Sequence, residues 1–148
     1  MNAVAVPLNE SNSSKTGSKL NRFLVWLGWA ISLIPVYVVG TSAHWKLTHN
    51  PNYLKMFDQI GWNPDSLTLL ACLQLGAIVL YIIPPTSIFG AIILTGYLGG
   101  AIASYTRIHD YFPVVVPLGT AIFAWLGIWL RDPHFRRLCP IRFHLFKK

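Results

Sequence analysis

Four long apolar runs, separated by polar or proline-rich breaks, set the pattern of this chain. Phe23 to Ala43, Leu67 to Ile83, Ser87 to Thr106 and Val114 to Leu130 carry no Asp, Glu, Lys, Arg or His. A helix rises 1.5 Å per residue, so such runs cover roughly 25–30 Å, close to the thickness of a bilayer's hydrocarbon core. The second run is shorter but suffices with little tilt. The pattern predicts an all-α fold, a four-transmembrane-helix antiparallel bundle with helices at about residues 23–43, 67–83, 87–106 and 114–130.

The breaks refine this picture. Residues 1–21 are rich in Ser and Asn, with Pro7 and Gly17, and bury too little apolar surface to offset ordering entropy. A disordered cytoplasmic tail is expected there, ahead of a transmembrane domain over 22–132. Pro35 inside the first run is expected to kink its helix. Between His44 and Asp65 the chain turns polar. Asn50-Pro51 marks a turn, and Tyr53 to Ile60 predicts a short amphipathic helix presenting Tyr53, Leu54, Phe57 and Ile60 on one face. Asn63-Pro64-Asp65-Ser66 reads as a capped helix start. Pro84-Pro85 leaves so few residues between runs two and three that they must form a hairpin. Residues 133–148 form a basic tail.

Composition agrees with the membrane reading. Apolar residues make up 53% and charged residues 11%, against roughly 25% charged in soluble domains. Twelve Lys and Arg against five acidic residues give a net charge of +7. Most of that charge sits outside the apolar runs, so it points to lipid rather than nucleic acid. Four spans put both termini on one side, which holds nine of the Lys and Arg; the other side holds three, Lys46, Lys55 and Arg107. The positive-inside rule makes both termini cytoplasmic, and the expected location is a bacterial inner membrane. Cys72 and Cys139 form no CxxC and no zinc spacing, so no redox dithiol is expected.

Candidate chemistry is sparse. Gly96, Gly100 and Ser104 follow one another at i, i+4 and i+8, with Gly99 and Ala103 on an adjacent face. Such a stripe of small residues is either a seam for tight helix packing, the preferred reading, or a groove for a flat apolar ligand. Gln74, mid-run, needs hydrogen-bond partners, with Ser32, Thr41, Thr95, Tyr97 and Thr120 as candidates. No Asp, Glu, Lys, Arg or His lies deep within any run, which weighs against a proton-coupled transporter. His44, His49, His109, Asp58, Asp65 and Asp110 lack a ligand spacing, so no metal site is assigned. Tyr97, Tyr105 and Arg107, at the outer end of the third run, are the candidate ligand-binding residues.

The stretch from Leu73 to Pro140 resembles the DoxX-like family of small four-helix membrane proteins. The residues that carry it are LQLGAIVLYIIP (73–84), GAIILTGYLGGAIA (90–103), Arg107 and WLGIWLRDPHFRRLCP (125–140), with HWKL (44–47) and DQIGW (58–62) fitting more loosely. The resemblance implies an integral membrane protein without a defined activity, serving as an accessory subunit of a membrane complex or a homo-oligomer. Its alternatives are a quinone-linked oxidoreductase component and a small-molecule transporter. Gln74 stands where relatives often carry Glu, Tyr105 where His is common, and Pro85 where the turn usually has Arg. With those groups and any cofactor-binding motif missing, the expectation leans away from an enzyme, and a quinone is the one cofactor it admits.

Overall fold

The computed structural model describes residues 10–63 and 65–138. Among them the regular structure is entirely helical: α1 (Glu10–Leu47), α2 (Pro51–Ile60), α3 (Ser66–Ile82), α4 (Ser87–Arg107), α5 (Val115–Arg131) and α6 (Pro133–Leu138). The first helix begins inside the segment expected to be a disordered tail. No proline intervenes between Glu10 and Phe23, and extending an existing helix costs far less than nucleating one. Residues 1–9 of that expected tail, and 139–148 of the basic one, lie outside the described residues. Helical assignment runs through Pro35 without interruption.

Two of these helices are long and apolar enough to cross a membrane, over Asn21–Leu47 and Pro84–Arg107; Ser66–Ile82 and Val115–Arg131 are shorter apolar helices. The four pack as a ring. Helix α1 lies between α3 and α5, and α4 closes the ring against the same two neighbours. Glycines let α1 and α5 touch at two levels. A Cβ on Gly28 would come within 2.5 Å of the Arg131 backbone nitrogen, and one on Gly127 would strike Ser32. Tyr81 fills the middle of the ring, fully buried among Val39, Leu94 and Ile128. Its hydroxyl donates to Ala124 O at 2.9 Å and lies 3.1 Å from Ser32 Oγ, tying α3 to α5 and α1.

The turn between α3 and α4 is a single 3₁₀ turn over Pro84–Thr86. Pro84 and Pro85 lack N–H groups, so the carbonyls four residues earlier, on Leu80 and Tyr81, lose their helical partners. Two side chains replace them. Thr86 Oγ1 donates to Leu80 O at 2.9 Å, and Arg131 Nη2 on α5 donates to Tyr81 O. Gly90 then allows α4 to lie directly against the Tyr81 backbone, where any Cβ would collide.

At the far end α2 lies across α1 and α4. Asn50 Oδ1 accepts from Asn52 N, Pro51 opens the helix, and Gly61 closes it at φ 80°, the left-handed conformation glycine adopts without strain. Asp65 makes no capping bond to α3; instead Asn63 Oδ1 accepts from Asp65 N at 3.1 Å, which forms the turn ahead of the helix.

Candidate functional site

The ring closes over a lysine. Lys46 stands in the last turn of α1, in a segment whose polarity alone suggests a solvated loop, yet it is 2% exposed. The apolar runs themselves hold no ionisable side chain, but the fold buries one that lies three residues beyond the first run. The polar stretch after Ala43 continues the helix, and α2 folds back over its end. Helical spacing places Lys46 one turn after Ser42, whose Oγ accepts from Nζ at 2.6 Å. From α3, Gln74 Oε1 accepts from the same Nζ at 2.9 Å.

The rest of the surround is aromatic. Tyr53 and Phe57 of α2 and Tyr97 of α4 hold their ring centroids 5.4–5.7 Å from Nζ. Ser42 Oγ also lies within reach of Gln74 Nε2, at 3.4 Å, and of the Tyr53 hydroxyl, at 3.5 Å. Every hydrogen-bond partner of Nζ among the described residues is neutral. A buried ammonium without a carboxylate is costly. Two charge-assisted hydrogen bonds, worth about 1.5–3 kcal/mol each, and ring faces, worth about 0.5–2 kcal/mol each, offset part of that cost. The ammonium has three donors and two strong acceptors here, so one N–H remains for another acceptor.

Lys46 lines a cavity of about 330 Å³ whose walls include Trp45, Tyr53, Gln74, Tyr97, Tyr105 and Thr120. A second cleft of about 250 Å³ adjoins it between α2, α3 and α4, sharing Phe57, Tyr97, Ala101 and Tyr105 with the first. Gly96, Gly100 and Ser104 line this second cleft. The small-residue stripe is not a packing seam within this chain: a Cβ at Gly96, Gly99 or Gly100 would meet nothing within 4 Å. Close approach is made instead at Gly28, Gly90 and Gly127. Ser104 Oγ accepts from Trp62 Nε1 at 3.2 Å, which pins the chain leaving α2 to α4.

Of the three candidate ligand residues, Tyr97 and Tyr105 share both clefts, and the Tyr105 hydroxyl reaches Met56 Sδ at 3.5 Å. Arg107 is exposed and stands apart from them, beside Gly61 at the end of α2. Four of the five partners expected for Gln74 are engaged elsewhere. Ser32 meets Tyr81, Thr95 accepts from Trp125, and Thr41 and Thr120 bond to carbonyls of their own helices. Sequence reasoning missed Lys46 and Ser42. The signal that was available is their i, i+4 spacing directly after an apolar run. No group of three or more His, Cys, Asp or Glu gathers among the described residues.

What the geometry offers is an aromatic cavity with one buried cation, beside an apolar groove lined by Gly96 and Gly100 and sharing a wall with it. No curated protein and no solved structure matches the chain. Residues 30–127 match the model of the DoxX-like family, a span that takes in Ser42, Lys46, Gln74, Tyr97 and the glycine groove and ends at Gly127, short of Arg131. By that match, this chain belongs to the DoxX-like family.

Proposed function

We propose that this chain is a four-span membrane protein that binds a flat apolar ligand with a carbonyl head group, of the quinone type, as a non-catalytic component of a membrane complex. The single observation that carries the reading is Lys46, a buried ammonium with a donor to spare in a cavity that shares a wall with a glycine-lined groove. A carbonyl oxygen accepts that donor, the rings of Tyr53, Phe57 and Tyr97 cover a planar head group, and an apolar tail follows Gly96 and Gly100 outward.

The outward faces support four spans. Phe23, Trp26, Leu33 and Tyr37 on α1, Leu69 and Val79 on α3, Phe89 and Ile92 on α4, and Val115 and Ile122 on α5 are all largely exposed. Apolar surface of this extent around a whole ring belongs in lipid rather than water. The distribution of Lys and Arg then puts both termini and the Pro84–Pro85 turn in the cytoplasm, with α2 on the outer face of a bacterial inner membrane.

The test is purification in mild detergent, followed by solvent extraction and mass spectrometry. Wild type is expected to carry a quinone, and Lys46→Met to carry at least ten-fold less while keeping its helical circular dichroism. A wild-type preparation that holds no quinone and gains no thermal stability from an added one overturns the ligand assignment. Failure of any other membrane protein to copurify overturns the subunit role.

A further inference from the structure

A second polar site lies at the opposite end of the ring, where α3 turns into α4 and α5 ends. Arg131 is 8% exposed. Its guanidinium carbon lies 4.7 Å from the Trp29 ring centroid and 4.6 Å from that of Tyr81. The N–H groups of a guanidinium lie in its plane, so further hydrogen-bond acceptors must approach there. Nη2 uses that plane to donate to Tyr81 O. Nη1 is buried and has no hydrogen-bond partner among the described residues. Leaving a buried charged donor unpaired is strongly unfavourable, so an acceptor from outside the described chain is called for.

Arg131 lines a cleft of about 450 Å³ with Trp29, Pro84, Pro85, Ser87, Asp132 and Pro133. The rest of that lining has little to donate. The prolines have no N–H, and Ser87 Oγ is engaged with Pro84 O. The carboxylate of Asp132 opposes an anion in the cleft, but its Oδ1 already accepts from the backbone of His134 and Phe135. The cleft also sits where the apolar span of α4 begins, at Pro84. Arg136 is held at the same end by its bond to Asn21 Oδ1, close in sequence to Arg22 and Arg137.

We propose that this cleft binds a phosphate oxyanion, with Arg131 Nη1 as its buried donor. A guanidinium edge matches phosphate oxygens, and the surrounding basic residues concentrate anions at this end. The chemistry is that of an anionic phospholipid head group or of free phosphate. The depth of the cleft, at the start of a span, rests on the membrane reading above.

The experiment is native mass spectrometry of the full chain released from nanodiscs of phosphatidylcholine with or without phosphatidylglycerol, repeated with inorganic phosphate. Wild type is expected to retain one phosphatidylglycerol in preference to phosphatidylcholine, and Arg131→Gln to lose that preference by about ten-fold. Preference for inorganic phosphate over the lipid, lost in the same variant, supports the same site and makes free phosphate its ligand. Equal retention of both lipids with no response to phosphate, or retention unchanged in Arg131→Gln, overturns the proposal. Arg131 also holds the α3–α4 turn, so if Arg131→Gln does not fold, Asp132→Asn decides, since it keeps the cap of α6 while removing the opposing charge. It is expected to retain phosphatidylglycerol about three-fold better, and an unchanged affinity overturns the proposal. Release from membranes by alkaline carbonate without detergent would instead strike at the four-span reading, so the two failures are distinguishable.

Discussion

Lys46 and Gln74 meet 2.9 Å apart, Nζ to Oε1, joining the last turn of α1 to the middle of α3 with both side chains buried. Each is the other's answer to burial. Gln74→Leu leaves the ammonium with Ser42 alone and is expected to destabilise the protein by about 3 kcal/mol. Lys46→Met strands the Gln74 carbonyl and costs about 1–3 kcal/mol. The double variant should lose at least 1 kcal/mol less than the sum of the singles. Thermal unfolding in detergent, run as a double-mutant cycle, measures this; additive losses would mean that the pair is not coupled.

The glycines of α4 separate into two kinds. Gly90→Ala drives a methyl group into the Tyr81 backbone, so the hairpin should fail to close and little folded protein should be recovered. Gly96→Ala and Gly100→Ala meet open space and should raise the melting temperature by about 2–4 °C, since Ala in a helix interior is favoured over Gly by about 0.5–1 kcal/mol. Both should still weaken retention of a quinone, because the added methyl groups stand in the groove proposed for its tail. Fluorescence-detected size exclusion and quinone extraction on the same samples separate folding from binding.

Thr86 predicts a smaller effect. Its hydroxyl replaces the N–H that Pro84 cannot offer to Leu80 O. Thr86→Val keeps the shape and removes the donor, at an expected cost of about 1–2 kcal/mol. Thr86→Ser should recover most of it. Equal melting temperatures for wild type and Thr86→Val would show that another donor, or water, serves Leu80 O.

Topology gives a prediction independent of any ligand. Reporter fusions at both termini and in the Pro84–Pro85 turn should read as cytoplasmic, and one inserted beside Asn52, on exposed α2, should read as external. A terminus found outside would reverse the orientation drawn from the Lys and Arg count.

The four apolar helices were legible because long apolar runs between proline-rich and polar breaks are written in length and hydropathy, and α2 because Tyr53, Leu54, Phe57 and Ile60 recur at helical spacing. Among the described residues, the glycines of the small-residue stripe meet no other helix of this chain. Glycines at i and i+4 permit another backbone to approach but do not supply one, and here α3 meets α4 at Gly90 instead. Lys46 was hidden for a different reason. Its neighbours His44, Trp45 and His49 give the segment a solvated look, and only the fold-back of α2, a tertiary event, brings Tyr53 and Phe57 over it. Arg131 enters the sequence reading only as one of nine charges on the side of the termini, because sequence does not say that Pro85 orphans a carbonyl within its reach.

Gly28 facing Arg131 and Gly127 facing Ser32 form a reciprocal pair of contacts between α1 and α5. A slide of one helix past the other by a single turn would push side chains into backbone at both levels, so the pair acts as a ratchet with one permitted tooth. The mechanical consequence is that α1 is a fixed gauge between its two ends, with Trp29 and Lys46 held about 25 Å apart along its axis. Occupancy at Lys46 therefore cannot be signalled to the Arg131 end by piston motion of α1 against α5. Spin labels at Leu33 and Ile122 should keep the same distance distribution with and without a bound quinone, leaving α2 as the element free to respond.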